Sequence, residues 1–72
     1  MMDVAKLRGK MTKQHVTMEM LSISLSVDRS TVVRMFRGGD ERFSIAQTRR
    51  IGVLLHLSTE EFMEIFYPDY AA

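Results

Sequence analysis

Basic side chains are the residues of this chain whose placement most clearly indicates chemistry. All ten of them lie between positions 1 and 50, together with five acidic residues, whereas positions 51–72 carry four acidic residues and no basic one. The first part therefore has a net charge of +5 and the second a net charge of −4. Such a division is typical of a basic face that binds a polyanion and an acidic end that faces away from it. It is equally compatible with a solvated surface of uneven charge.

Other reactive side chains lack the neighbours that catalysis or metal binding requires. His15 and His56 are far apart in the sequence, and the chain has no cysteine, so no cluster has metal-ligand spacing. No serine occurs in a Gly-x-Ser-x-Gly turn, and the glycines at 38–39 lack the Lys-Ser/Thr of a phosphate-binding loop. Glu60 and Glu61 fit the first turn of a helix, where acidic side chains offset the helix dipole. We therefore expect no enzyme, no metal and no other cofactor.

Length and composition indicate one small globular domain covering residues 1–72. The chain is 46% apolar and 26% charged, as in ordinary folded proteins. No apolar run approaches the roughly 18 residues of a membrane span, and the N-terminus has no signal-peptide apolar segment. We expect a soluble, cytoplasmic protein whose tail, at about 67–72, is frayed because Pro68 ends the last helix.

The spacing of apolar residues predicts three helices in the first half of the chain. The first covers roughly 3–14, and the second begins after the N-cap Thr17. Asp28 can cap a third helix over about 29–37, which the glycines at 38–39 end because glycine accepts the left-handed conformation without a Cβ clash. The residues expected to face inward are Val4, Leu7 and Met11 in the first helix, Met18, Leu21, Ser22 and Leu25 in the second, and Val32, Met35 and Phe36 in the third.

Two capping boxes predict the remaining helices. Ser44 with Gln47 opens a fourth helix, and Ser58 with Glu61 opens a fifth. The residues expected on their apolar faces are Ile45, Ile51, Leu54 and Leu55 in the fourth helix, and Phe62, Ile65 and Phe66 in the fifth. The expected fold class is all-α, with five short helices joined by tight turns.

The segment that joins the second and third helices is the most informative part of the chain. Residues 17–38, TMEMLSISLSVDRSTVVRMFRG, hold two short helices and a very short turn, with small residues at Ser22 and Ser26 where the backbones must approach. This arrangement resembles the helix-turn-helix of phage repressor and Cro-like proteins, the Xre family. Residues 43–66, FSIAQTRRIGVLLHLSTEEFMEIF, look like the fourth and fifth helices of that family, so the resemblance covers most of the chain.

The resemblance implies a compact five-helix lambda-repressor-like DNA-binding domain with its third helix in the major groove of double-stranded operator DNA. It implies a transcriptional regulator of the Cro or small-repressor kind, which acts as a dimer on the nucleoid of a bacterial cell. The side chains that would contact bases are Arg29, Ser30, Val33 and Arg34. The groups that would contact phosphates are Thr17, Thr31, Arg37, Arg42, Ser44, Lys10 and Lys13.

Several positions depart from the family pattern. Met18 stands where the family often has a glutamine that touches phosphate, and Ser26 replaces the glycine preferred at the turn. Asp40 and Glu41 place two negative charges in the loop that would run beside the DNA backbone. These departures predict weaker or more selective DNA binding than that of a typical member.

Apolar residues outside the inward stripes support a different interpretation. Met20 and Ile23 fall where the family usually carries charged or amide side chains, and with Met18 they could form a deformable apolar patch. Met63 and Tyr67, in and after the last helix, could form a second patch. The alternative function is an antirepressor or modulator that forms a hetero-complex with another repressor and has weak or no DNA binding of its own. Apolar residues scattered on a surface also occur without any function.

Overall fold

The computed structural model describes residues 2–38 and 42–71, and over these residues the chain is all-α. This part of the chain contains no strand. Asp40 and Glu41, and the second glycine at 38–39, lie outside the described residues. No helix within the described residues is long and apolar enough to cross a membrane. The helices are α1 (Val4–Lys13), α2 (Met18–Leu25), α3 (Arg29–Arg37), α4 (Ile45–Leu54) and α5 (Thr59–Phe66).

Side-chain caps fix where four of the five helices begin, and in α1 the Asp3 carboxylate accepts the Lys6 N–H at 3.1 Å. Both predicted capping boxes are confirmed. Ser44 Oγ accepts from the Gln47 N–H while the Gln47 side chain accepts from the Ser44 N–H, and Ser58 and Glu61 form the same pair of bonds. Thr17 caps α2, its Oγ1 accepting a backbone N–H at 3.1 Å. Because a helix start leaves N–H groups without intrahelical partners, each such cap contributes about 1 kcal/mol.

The two ends of α3 differ in detail from the prediction. Asp28 occupies the N-cap position, but its side chain forms no capping hydrogen bond, and the carboxylate lies exposed where water solvates it. Gly38 does end the helix, with φ 86° and ψ −149°, so its backbone is not in the left-handed helical conformation that was expected. That combination of angles is open essentially to glycine alone.

Every helix contributes to one completely buried centre. α2 packs against both α3 and α4, and α1 packs against α5. Helices of eight to ten residues are marginal on their own, so each depends on this shared core. The side chains that are no more than 1% exposed are Leu7, Leu21, Val32, Ile51, Leu55 and Ile65.

One residue assigned to the core by the sequence lies on the surface instead. Ile45, at the first position of α4, is 69% exposed. The buried positions of this segment are Thr48, Ile51 and Leu55, so the inward face begins one turn after Ile45. Thr48 can be buried because its hydroxyl donates to the Ile45 carbonyl at 2.7 Å. The prediction that Ile45 faces inward is therefore wrong.

The α1–α2 and α4–α5 connections share one geometry. Each joins a ten-residue helix to an eight-residue helix through four residues. In each connection a histidine adopts a positive φ, 58° at His15 and 52° at His56, and both side chains lie exposed. The N–H of the next residue then bonds to the carbonyl five residues back, at 2.9 Å in both cases. This is the bond of a Schellman motif, which satisfies carbonyls at the end of a helix.

The connection between α2 and α3 is shorter and depends on two serines. Ser26 adopts the left-handed conformation, with φ 56° and ψ 41°. The N–H of Val27 then bonds to the Ser22 carbonyl at 3.1 Å. Ser22 itself is only 6% exposed, and its hydroxyl donates to the Glu19 carbonyl at 2.8 Å. Ser22 can therefore be buried in the middle of α2, because it is small and its hydroxyl has a hydrogen-bond partner within the helix.

Ion pairs and a backbone hydrogen bond join α1 to α5. Lys6 Nζ lies 3.2 Å from Glu64 Oε2, and Lys10 Nζ pairs with Glu61. The Asp3 N–H donates to the Ile65 carbonyl at 2.7 Å. The pKa of Glu61 is lowered from 4.5 to about 2. The Lys10 ammonium has the largest effect, and the backbone N–H and hydroxyl of Ser58 have smaller ones.

We expect Ser26→Gly to raise the free energy of unfolding by about 0.5–1 kcal/mol. Glycine removes the Cβ strain of the left-handed conformation, and its greater freedom in the unfolded chain offsets part of that gain. Urea denaturation measures the change. Ser24→Gly, in the last turn of α2 where the backbone is still helical, is the matched control and should instead lower stability by about 0.5 kcal/mol. A loss of stability in both variants would contradict the strain at Ser26.

The ion pair of Glu61 should make stability depend on acid pH. Because folding lowers the pKa of Glu61, its stabilisation is complete above about pH 4.5 and is lost as the pH falls towards 2. Glu61→Gln should therefore be less stable than the wild type at neutral pH, and the difference should shrink between pH 4.5 and 2. Urea denaturation across this range tests it. Glu60→Gln, which removes an exposed charge in the same turn, is the control, and a similar pH profile for both variants would refute the assignment.

Candidate nucleic-acid interface

The polar residues of α3 lie on the face turned away from the core. Val32 and Phe36 are buried, at 0% and 4% exposure. Ser30, Arg34 and Arg37 follow one another at i, i+4 and i+7, and all three are exposed. This spacing places them in one stripe on the side of the helix opposite Val32 and Phe36. The stripe offers one hydroxyl and two guanidinium groups to a ligand.

The other predicted base-contacting residues flank this stripe. Arg29 is exposed at the first position of α3, and Val33 is half-buried at the edge of the face. Arg34 Nη2 donates to Thr31 Oγ1 at 3.1 Å, so these two side chains lie together along the helix surface. Arg29, Ser30, Val33 and Arg34 are thus all at least partly accessible on one helix.

The N-termini of α2 and α4 carry two of the predicted phosphate contacts. Thr17 and Ser44 are exposed, and each hydroxyl oxygen accepts a backbone N–H as a cap. The hydroxyl hydrogen of each can still donate to an anion. The first-turn N–H groups of Ile45 and Ala46 have no intrahelical acceptor, and the positive end of the helix dipole favours an anion there.

The two lysines at the end of α1 have different surroundings. Lys13 is exposed in the last turn of the helix. Lys10 is bonded to Glu61 on α5, which a reading of the sequence could not find because the two residues are 51 positions apart. A phosphate at Lys10 would have to share its ammonium with Glu61. The phosphate role of both lysines stays a prediction.

Other arginines, to which sequence analysis gave no role, take part in packing. The Arg8 guanidinium lies 5.1 Å from the centroid of the Phe36 ring and so connects α1 with α3. Arg50 Nη1 donates to the Ser24 carbonyl at 3.2 Å and connects α4 with α2. Helical periodicity gives no sign of either contact, because both depend on how separate helices pack.

The candidate protein-binding residues divide into exposed and partly covered ones. Met20 and Ile23 are 44% and 72% exposed, in agreement with their expected position outside the core. Tyr67 is 37% exposed, whereas Met18 and Met63 are half-buried. The apolar surface of α2 is therefore centred on Met20 and Ile23.

The structure also bears on metal binding. Within residues 2–38 and 42–71, no group of three His, Cys, Asp or Glu side chains is placed to hold a metal ion.

Arg37 and Arg42, the remaining predicted phosphate contacts, are exposed on either side of residues 39–41. Comparison with known proteins found no matching family model, no matching curated protein and no matching solved structure.

Proposed function

We propose that the protein is a sequence-specific DNA-binding transcriptional regulator of the phage Cro or repressor type. In this proposal α2 and α3 form a helix-turn-helix, and α3 enters the major groove. The observation that carries it is the exposed stripe of Ser30, Arg34 and Arg37 on the face of α3 opposite its buried residues. The resemblance of residues 17–38 to the Xre family supports the same assignment.

The chemistry of α3 suits the recognition of base edges. An arginine can bond O6 and N7 of guanine with two parallel hydrogen bonds, and a serine hydroxyl can donate or accept. A valine methyl can contact the methyl group of thymine. Arg29, Ser30, Val33 and Arg34 offer these groups, and each good base contact contributes about 1–3 kcal/mol of discrimination.

The phosphate contacts would come from the elements on both sides of α3. Thr17 at the start of α2 and Ser44 at the start of α4 offer hydroxyl and backbone donors. Arg37 and Arg42 add positive charge near the end of α3. Contacts of this kind fix the orientation of a protein on the duplex and leave the reading of sequence to the base contacts.

The ion pairs between α1 and α5 reduce the net positive charge of α1. Lys6 and Lys10 pair with Glu64 and Glu61 at the surface, so part of the positive charge of the first half of the chain is offset there. An approaching polyanion would therefore find less net positive charge on α1 than the sequence indicates.

A single small domain reads too few base pairs for high specificity. Proteins of this kind gain it by binding two half-sites related by a two-fold axis, about 34 Å apart along the DNA. The proposal therefore includes a homodimer on operator DNA, in the cytoplasm of a bacterial cell and on its nucleoid.

Fluorescence anisotropy with labelled mixed-sequence duplex, measured at several salt concentrations, tests DNA binding. The wild type should bind with an affinity that falls steeply as salt rises, because counterions are released. Arg29→Ala combined with Arg34→Ala should weaken binding about tenfold to a hundredfold, or roughly 1.4–2.8 kcal/mol. Lys6→Gln combined with Arg49→Gln removes the same net charge from α1 and α4 and is the matched control. Equal losses in the two double variants, or no binding at low salt, would contradict the proposal.

The exposure of Met20 and Ile23 favours a second candidate function, in which the protein modulates another repressor through α2. This function predicts that the isolated protein binds no duplex even at low salt. It also predicts that Met20→Ser with Ile23→Ser abolishes regulation in cells, whereas Arg29→Ala with Arg34→Ala retains it. Transcript levels in bacteria that express each variant distinguish the two functions, and the reverse order of effects would exclude the modulator.

A further inference from the structure

An apolar cavity lies where the beginning of α1, the end of α3 and the end of α5 meet. Its volume is about 360 Å³. Small-molecule sites in proteins typically have volumes of roughly 300–1,000 Å³, so this cavity is large enough for a small ligand. Four aromatic residues form much of its wall, and these are Phe36, Phe43, Phe66 and Tyr67.

Apolar and aromatic side chains provide most of the lining of the cavity, and polar groups provide a smaller part. The rings of Phe36 and Phe43 meet edge to face, with centroids 6.0 Å apart. Thr48 also lines the wall, but its hydroxyl donates to the carbonyl of Ile45 and is thereby satisfied within α4. The aromatic part of the wall therefore favours a ligand with an apolar body, and an aromatic body can stack against these rings.

Two arginines line the part of the cavity's rim that the structure describes. Arg37 and Arg42 both line it and are both exposed. Neither forms an ion pair with any residue that the structure describes. No acidic residue is among the described lining residues. An anionic group would thus find two guanidinium partners at the rim, and arginine binds carboxylates with paired hydrogen bonds.

We propose that this cavity is a binding site for a small aromatic carboxylate. The aromatic body lies among Phe43, Phe66 and Tyr67, and the carboxylate is bound by Arg37 and Arg42. The apolar wall selects for the body and the arginine pair selects for the charge, so neither an aromatic alcohol nor a small polar anion satisfies both parts of the site.

Occupancy of this site would oppose DNA binding, and this consequence rests on the proposed function. Arg37 and Arg42 are also proposed phosphate contacts, so the bound carboxylate and the DNA backbone would compete for the same guanidinium groups. By linkage, a ligand that uses these groups lowers the affinity for DNA by the factor by which DNA lowers the affinity for the ligand.

A titration of the ¹⁵N-labelled full chain, followed by NMR, tests the site without DNA. The probe is 2-naphthoate, and 2-naphthalenemethanol is the uncharged comparison. The protein for this titration is prepared without an N-terminal tag, because Met2 lines the cavity. We expect saturable naphthoate binding, chemical-shift changes centred on Met35, Phe43 and Tyr67, and binding of the alcohol at least about tenfold weaker, a difference of roughly 1.4 kcal/mol.

Matched double variants distinguish the effect of the rim arginines from the effect of a lower net charge. Arg37→Gln with Arg42→Gln should weaken naphthoate binding about tenfold and leave the alcohol unaffected. Arg29→Gln with Arg49→Gln removes the same charge outside the cavity and should leave both unaffected, and the same spectra show whether each variant is folded. The site is refuted if the two ligands bind equally, if both double variants weaken naphthoate alike, or if the shifts lie elsewhere. These outcomes do not depend on DNA binding, so failure of the site and failure of the proposed function are distinguishable.

Discussion

The whole structure depends on one buried layer to which each helix supplies a side chain. Leu7, Leu21, Val32, Ile51 and Ile65 come from five different helices and are at most 1% exposed. Since none of these helices exceeds ten residues, none would be stable without the others. The layer also explains the surface of α3. Because inward packing is supplied mainly by the buried residues of α3, the opposite face is free to be polar and basic.

Electrostatics in this fold are decided by which charges meet across helices. The sequence shows an excess of basic residues before position 51 and of acidic residues after it, and the structure brings part of each excess together between α1 and α5. Lys10, which the sequence predicts as a phosphate contact, is a partner of Glu61 in the fold. Arg8 and Arg50 likewise reach an aromatic ring and a backbone carbonyl. The acidic residues of α5 therefore offset two of the basic charges that the sequence places in α1.

Local sequence signals were sufficient to predict most of the helices. Contacts between residues that are far apart in the chain could not be predicted from such signals. The boxes at Ser44 and Ser58 involve residues three positions apart, so the sequence contains all the information needed to place α4 and α5. Ile45 has the right residue type for the core, but its exposure depends on where α2 and α5 pack against α4. The pairing of Lys10 with Glu61 and the cavity beside Phe43 both arise from residues that are far apart in the chain. The positions of these residues in the sequence therefore did not indicate either feature.

The pairing of α1 with α5 has a consequence for the order in which the chain can fold. α1 is synthesised before the other helices, and the residues that it contacts in α5 follow more than 50 positions later. α2 and α3, by contrast, are adjacent in the chain and can pack as soon as both are made. At synthesis rates of about 5–20 residues per second, the apolar stripe of α1 has no partner in α5 for roughly 3–10 s. The core is therefore completed only when α5 has left the ribosome, and until then Leu7 and Met11 are accessible to chaperones.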